Sequence, residues 1–241
     1  MQLLIDNSNT RTKFALAHGS ELQPWRSVIP TVELSMETLA QQLEGQSYTT
    51  ATICSVVPEA AKLLENFLSV PTHQISCHSK LPIKIDYPKP EQIGADRLAN
   101  SVAAAKKHGT PAVVIDFGTA VTFDVISANG AYLGGAIAPG TAALRGYLNR
   151  RTALLPEIQL EEPTSPIGKS TEDAMQVGAV IGYRGLIREI LKEIRDELGG
   201  NPHILATGGD SELISAGLPE IKTVDRDLTL HGIRLAGDLN H

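Results

Sequence analysis

Two apolar runs in this chain end on an aspartate, and a polar turn and a second apolar run follow each at once. The first reads QLLID-NSNT-RTKFAL and the second AVVID-FGT-AVTFDVI. A short unbroken apolar run suits a strand buried on both faces. An aspartate at its end stands where side chains leave the sheet and can meet a ligand. Asp6 lies eight positions before Phe14, and Asp116 seven before Phe123. With the strand–helix alternation that follows each unit, the pattern predicts an α/β protein built from two similar halves, residues 1–110 and 111–241.

Periodicity fills in the first half. Strands are expected at 2–5 and 13–17, and a helix over 33–44 with Met36, Leu39, Ala40 and Leu43 on one face. A strand over 49–57 leads to a helix opened by Pro58 and carrying Leu63, Leu64, Phe67 and Leu68. A short strand is expected at 73–77. Pro82, Pro88 and Pro90 break the pattern over 78–94, which reads as a long ordered loop, and a helix covers 95–107.

The second half reads as strands at 111–117, 120–127 and 131–137, the last two joined by the hairpin signal Asn129-Gly130. A helix over 140–150 and a loop over 155–169 come next. One long helix is then expected from Ser170, capped with Asp173, to Gly199. Strands at 203–207 and 221–224 and a short helix from about Leu230 close the chain.

The 241 residues are 42% hydrophobic and 20% charged, the balance of a globular chain and not of a disordered one. A net charge of −6 gives no electrostatic reason to bind nucleic acid or an anionic membrane. Cys54 and Cys77 form no CxxC and are too few for a disulfide scaffold, which suits a reducing compartment. The start of the chain lacks a basic segment, and its apolar run stops at Asp6. No run reaches the ~18 apolar residues of a spanning helix. The expectation is a soluble cytoplasmic protein with neither a nucleic-acid nor a membrane partner.

The common nucleotide and metal motifs are missing. There is no GxGxxG and no HExxH, and Gly168-Lys169-Ser170 fails as a Walker A loop because Pro163 stands where its first glycine belongs. The seven histidines show no ligand spacing. What remains is a set of turns. Asp6-Asn7-Ser8-Asn9-Thr10 suits a plain β-turn first, and after it a loop whose N–H groups, with Lys13, cradle phosphate while Asp6 holds Mg2+. Asp116-Phe117-Gly118-Thr119 joins a hard oxygen ligand to a small residue, and Thr207-Gly208-Gly209-Asp210 leaves backbone open to a flat ligand. Gly94-Ala95-Asp96-Arg97 opens a helix. Asp96 there suits a general base and Arg97 an anion contact, or the pair is simply a favourable first turn with a solvated arginine. Gly178, Gly182 and Gly185 make a small-residue stripe, fit for a close contact with a domain or second copy or for tight packing on the helix's own sheet.

Taken in order, IDNSNTRTKFAL, YPKPEQIGADR, VIDFGTAVTFDVI with GAYLGGAIAPG, GKSTEDAMQVG and TGGD resemble the type III pantothenate kinases over nearly the whole chain. That family belongs with acetate and sugar kinases, heat-shock ATPases and actin. The resemblance implies two duplicated actin-like (ribonuclease H-like) domains with an ATP cleft between them, usually in a homodimer. It implies transfer of the γ-phosphoryl group of ATP to pantothenate, the first step towards coenzyme A. Carried over by position, Asp6, Asn7, Ser8, Asn9, Thr10, Arg11, Thr12 and Lys13 line the ATP phosphates, with Thr119, Gly208 and Gly209 also at the nucleotide. Asp96 is the base. Tyr87, Gly94, Ala95, Asp96, Arg97 and Thr171 hold pantothenate. Asp116 binds the monovalent cation, K+ or NH4+, and Asp6 is the Mg2+ candidate.

One position departs from the family pattern, which has glycine where this chain has Ser8. If the turn needs a positive φ there, serine strains it and ATP binds more weakly. If glycine serves only close approach, the Ser8 hydroxyl is free to meet a phosphate. A non-enzymatic accessory protein on the same fold is the competing reading, and Ser8 is the feature that favours it. A different phosphoryl transferase or a phosphatase is a third, against which the YPKPEQIGADR segment speaks.

Overall fold

A computed structural model describes residues 1–241, with the side chain of Arg145 outside the described set. The chain forms two compact units. One comprises Met1–Gly109, Asn129–Leu133 and Asp227–His241; the other comprises Thr110–Ala128 and Gly134–Arg226.

The first unit carries strands β1 (Gln2–Asn7), β2 (Arg11–His18), β3 (Glu21–Pro30), β4 (Thr50–Ser55) and β5 (Thr72–Gln74) in the order β3-β2-β1-β4-β5. β1 pairs antiparallel with β2 and parallel with β4. All six residues of β1 are buried, as its central place requires. β3 is the edge strand and has no counterpart in the periodicity reading. Its exposure alternates along most of its length, and Pro24 and Pro30 are tolerated because a sheet edge leaves N–H groups unpaired.

Helix α1 (Met36–Leu43) starts at Ser35, whose side chain accepts from Thr38 N–H. Only Leu39 and Leu43 of its expected apolar face are buried; Met36 and Ala40 are exposed. Helix α2 (Pro58–Phe67) has proline at its first turn. A two-residue strand, β6 (Lys84–Ile85), lies inside the expected loop. Helix α3 (Ala95–Lys107) buries Ala95 and every residue from Leu98 to Ala104. It packs against the last helix of the chain, α8 (Leu228–Asn240), which is longer than its sequence suggested. That contact is made by small residues: a Cβ on Gly232 would stand 1.9 Å from the Ala99 carbonyl oxygen. Thr229 Oγ1 also donates to Asn100 Oδ1 at 2.8 Å. This packing is why residues 227–241 lie with the first unit, where a single cut after residue 110 would not put them.

The second unit repeats the design. Its strands β7 (Ala112–Phe117), β8 (Ala120–Ile126), β9 (Ala131–Pro139), β10 (His203–Gly208) and β11 (Thr223–Val224) run in the order β9-β8-β7-β10-β11. Numbered within each unit, both sheets read 3-2-1-4-5, with the first two strands antiparallel and the fourth parallel to the first. The echo in sequence is therefore an echo in topology: the fold is α/β, with two duplicated actin-like units. The start of β9 pairs with β6. Helix α4 (Thr141–Arg151) follows β9. The expected long helix is in fact α5 (Thr171–Val177), a π-helical turn over Gly178–Gly182, and α6 (Tyr183–Leu198). Glycine weakens a helix interior, and two of them bound the π turn. Ser170 caps α5 by accepting from Asp173 N–H, but the Asp173 carboxylate reaches back to Lys169 N–H and not to Ser170. A short helix, α7 (Ser211–Ser215), follows β10. Among the described residues no helix is long and apolar enough to cross a membrane.

Candidate active site

Asp6 and Asp116 occupy the same place in the two units, each the last residue but one of the central strand. Asp6 is buried, and Lys13 Nζ, opposite it on β2, holds its Oδ2 at 2.9 Å. The β1–β2 hairpin beyond it is tied from within. Asn7, fully buried, donates to Thr12 Oγ1 at 2.7 Å and accepts from Ser55 Oγ at 2.5 Å. Thr31 Oγ1 donates to Ser8 O at 2.7 Å. The polar groups of Asn7 and Thr12 thus brace the hairpin from inside, while Asn9, Thr10, Arg11 and Lys13 are exposed. Ser8 does not strain this turn, since among the described residues none other than glycine has a positive φ. Its hydroxyl and its N–H both donate to Arg11 O at 3.0 Å, closing the loop.

The second cluster of this unit begins at the N-terminus of α3. Asp96 is half-buried, and its Oδ1 accepts from Arg97 N–H at 2.8 Å. Gly94 makes this possible: a Cβ there would stand 2.5 Å from Asp96 Oδ1. Gly94 needs no unusual dihedral, with φ −59° and ψ 141°, so close approach is its whole reason. Burial pushes the Asp96 carboxyl above its ordinary range. The charge of Asp6 adds to the rise; the Arg97 N–H bond and guanidinium oppose it without cancelling it. Asp6, Lys13, Asp96 and Arg97 therefore form one electrostatic neighbourhood. Arg97 lies over the ring of Tyr132, 5.8 Å from guanidinium carbon to ring centroid, and Tyr87 meets that ring edge-on at 6.1 Å. Ala95 is buried in the core beneath.

In the second unit three loops converge. Gly208 has φ +93°, a conformation that favours glycine, and a Cβ there would meet Phe117 O at 2.6 Å and Asp116 Oδ1 at 2.7 Å. A Cβ on Gly140 would meet the carbonyl oxygens of Gly118 and Thr119 at 2.4 Å. Thr141 donates to Asp210, and Tyr183 OH donates to Pro139 O at 3.0 Å. Burial and the Asp210 charge push the Tyr183 phenol up to about 12, so it stays a neutral donor. Gly209 is exposed, with nothing within 4 Å of its Cβ position. Thr119 and Thr171 are exposed as well.

The oxygens around Asp116, one carboxylate and several carbonyls, suit a hard cation. No group of three or more histidine, cysteine, aspartate or glutamate side chains fit for a metal occurs among the described residues. A cation here needs oxygens from carbonyls, water or a bound phosphate. A cavity of about 550 Å³ lined by Gln46, Tyr48, Phe67 and Val70 lies before the starts of β4 and β5, the end of the sheet opposite Asp6. Sequence reasoning missed Tyr132, Thr141 and Tyr183. Tyr132 lies in the GAYLGGAIAPG segment but has no role assigned there, no motif marks Thr141 or Tyr183, and the partners of all three lie far off in the chain.

A family model for type III pantothenate kinase matches residues 2–193. The chain is 56% identical over 238 residues to a type III pantothenate kinase of Akkermansia muciniphila, covering 99% of this chain and 98% of the relative. It is 42% identical to one of Methylacidiphilum infernorum, over 98% of this chain and 88% of that relative. A crystal structure of a Baf family chain from Campylobacter jejuni superposes with a TM-score of 0.65 at 20% identity, covering 98% of this chain and 97% of that one; at that identity the likeness concerns the fold alone. A family match across most of the chain, with identities this high over nearly all of it, means that the chain belongs to the type III pantothenate kinase family.

Proposed function

We propose that this protein phosphorylates pantothenate with ATP, giving 4′-phosphopantothenate, the first step towards coenzyme A. The observation that carries the reading is Asp96: a half-buried carboxylate at a helix start, raised in pKa by burial and bonded to the N–H of Arg97, whose guanidinium lies over the Tyr132 ring. Asp96 accepts the proton of the primary hydroxyl as that oxygen bonds to the γ-phosphorus. The bond from the γ-phosphorus to the β,γ-bridging oxygen breaks, and ADP leaves. Little covalent work is asked of the protein, because phosphoryl transfer depends mainly on positioning and charge neutralisation. Tyr87, Gly94 to Arg97 and Thr171 hold pantothenate, with Arg97 offered to its carboxylate. The exposed Asn9, Thr10, Arg11 and Lys13 face the phosphates of ATP, on a loop that Asn7, Ser8 and Thr12 brace. Thr119, Gly208 and Gly209 serve the nucleotide in the second unit. Asp6 holds Mg2+ directly or through water, and Asp116 with its neighbouring carbonyls holds K+ or NH4+. When bound, these ions neutralise charge that builds on the phosphates.

The turn at Ser8 has no positive φ, which speaks against the strain that would favour a non-catalytic protein. The test is ADP release from MgATP, with and without pantothenate, in potassium and in sodium buffer. Release that needs both pantothenate and potassium is expected; equal release in sodium contradicts the Asp116 ion site. A raised Asp96 pKa also sets the pH profile. The base must be deprotonated, so kcat/KM falls as pH drops through a pKa above the ordinary carboxylate value of about 3.9. A profile flat down to that value excludes Asp96 as the base.

The protein is proposed to act as a homodimer. Tyr147 and Leu148 of α4 and Ile181 of the π turn are exposed, and a Cβ on Gly178, Gly182 or Gly185 meets nothing within 4 Å. The open glycines speak against tight packing of this stripe on its own sheet. Sedimentation is expected to give twice the chain mass; a monomer at working concentrations removes this proposal.

A further inference from the structure

Tyr132 is fully buried, yet it contacts both Arg97, the neighbour of Asp96, and Tyr87. Its ring face lies under the Arg97 guanidinium at 5.8 Å, and it packs T-shaped against the Tyr87 ring at 6.1 Å. Its main chain holds the same region. Tyr132 sits opposite Ile85 in the β6–β9 pairing, and its carbonyl accepts from Asp86 N–H at 2.9 Å, one residue before Tyr87. Behind the ring is the buried cluster that includes Leu4, Ala95 and Leu98, so the ring itself has little freedom. An arginine side chain is long and costly to order, and a cation over a desolvated ring is held more firmly than one over an exposed ring.

We propose that Tyr132 is a positioning residue for the substrate site: its ring orients Arg97, and its T-shaped ring contact and its carbonyl orient Tyr87 before pantothenate arrives. This inference rests on the pantothenate reading above. It predicts an effect on pantothenate binding and none on the chemical step, because Tyr132, fully buried, acts through Arg97 and Tyr87.

The test keeps the shape of the ring and changes its electrons. The full-length enzyme is made with Tyr132→Phe and then with mono-, di- and trifluorinated phenylalanine at position 132. Each fluorine weakens the attraction of the ring face for a cation. KM for pantothenate is expected to rise stepwise, by roughly 3- to 30-fold across the series, with KM for ATP, kcat and Tm unmoved. A flat series overturns the proposal, as does a rise shared equally by KM for ATP. In an Arg97→Leu background the dependence on fluorination should vanish; if it persists, the ring does not act through Arg97. The two levels separate cleanly. Absence of pantothenate-dependent turnover in the unmodified enzyme overturns the parent reading and this one with it. Turnover with a flat series overturns this one alone.

Discussion

Asp96→Asn is expected to lower kcat by roughly 10²- to 10⁴-fold, the usual contribution of a positioned general base. KM for ATP should hold or fall slightly, because one negative charge near Asp6 is removed. The amide can still accept from Arg97 N–H through its oxygen, so that bond in the first turn of α3 is kept. Stability moves the other way from activity. Burial holds the folded-state pKa of Asp96 above its unfolded value, so the folded state binds the proton more tightly. As pH rises from the unfolded pKa through the folded one, stability is lost, and at neutral pH the full penalty is present. Removing the charge lifts that penalty, and Tm at neutral pH should hold or rise. A variant that keeps turnover within tenfold of the parent shows that Asp96 is not the base. One that loses turnover together with Tm shows a structural role.

Gly232→Ala is expected to cost about 1–3 kcal/mol of stability or more, the range for overpacking a close contact. The added methyl would stand 1.9 Å from the Ala99 carbonyl oxygen and 2.4 Å from its carbon. Both are backbone atoms within α3, so no side chain can swing aside; α3 and α8 must separate. For a chain of this size, each kcal/mol lowers Tm by roughly 2–4 °C. The activity consequence follows from position. α3 carries Asp96 in its first turn, and phosphoryl transfer punishes a displacement of even about 1 Å. kcat should therefore drop along with Tm, unlike the Asp96 case. A Gly232→Ala enzyme with parental Tm and turnover would mean that α8 does not pack on α3 as described.

Much of this was legible in the sequence because strand interiors and turns write themselves locally. The runs ending at Asp6 and Asp116 gave the two central strands, and the alternation after each gave the duplicated topology. The failures share a physical cause. β3 was missed because two prolines mask an alternation that an edge strand tolerates. α1 was credited with a wider apolar face than it buries, since Met36 and Ala40 follow the period and still face solvent. The π turn between α5 and α6, inside an otherwise continuous helix, falls at glycines that periodicity alone does not weigh. The pairing of α8 with α3 joins Gly232 to Ala99, and no local pattern carries a contact so distant in the chain. The candidate site divides the same way. Asp96, Arg97 and the glycine turns stand out as candidates by residue type and position, while the roles proposed for them come from the family resemblance. Asn7 and Thr12 share a motif with Lys13, but only coordinates reveal that they point inward. Tyr132 was simply a strand residue until β6 paired beside it and brought Tyr87 and Arg97 to its ring.

The most direct test follows the phosphoryl group itself. The purified protein is incubated with ATP labelled at the γ-phosphorus, Mg2+, potassium and pantothenate, and the products are separated. The account predicts label on the primary hydroxyl of pantothenate in amount equal to the ADP formed, and none with Asp96→Asn. Label released only as inorganic phosphate, at a rate indifferent to pantothenate, would contradict it.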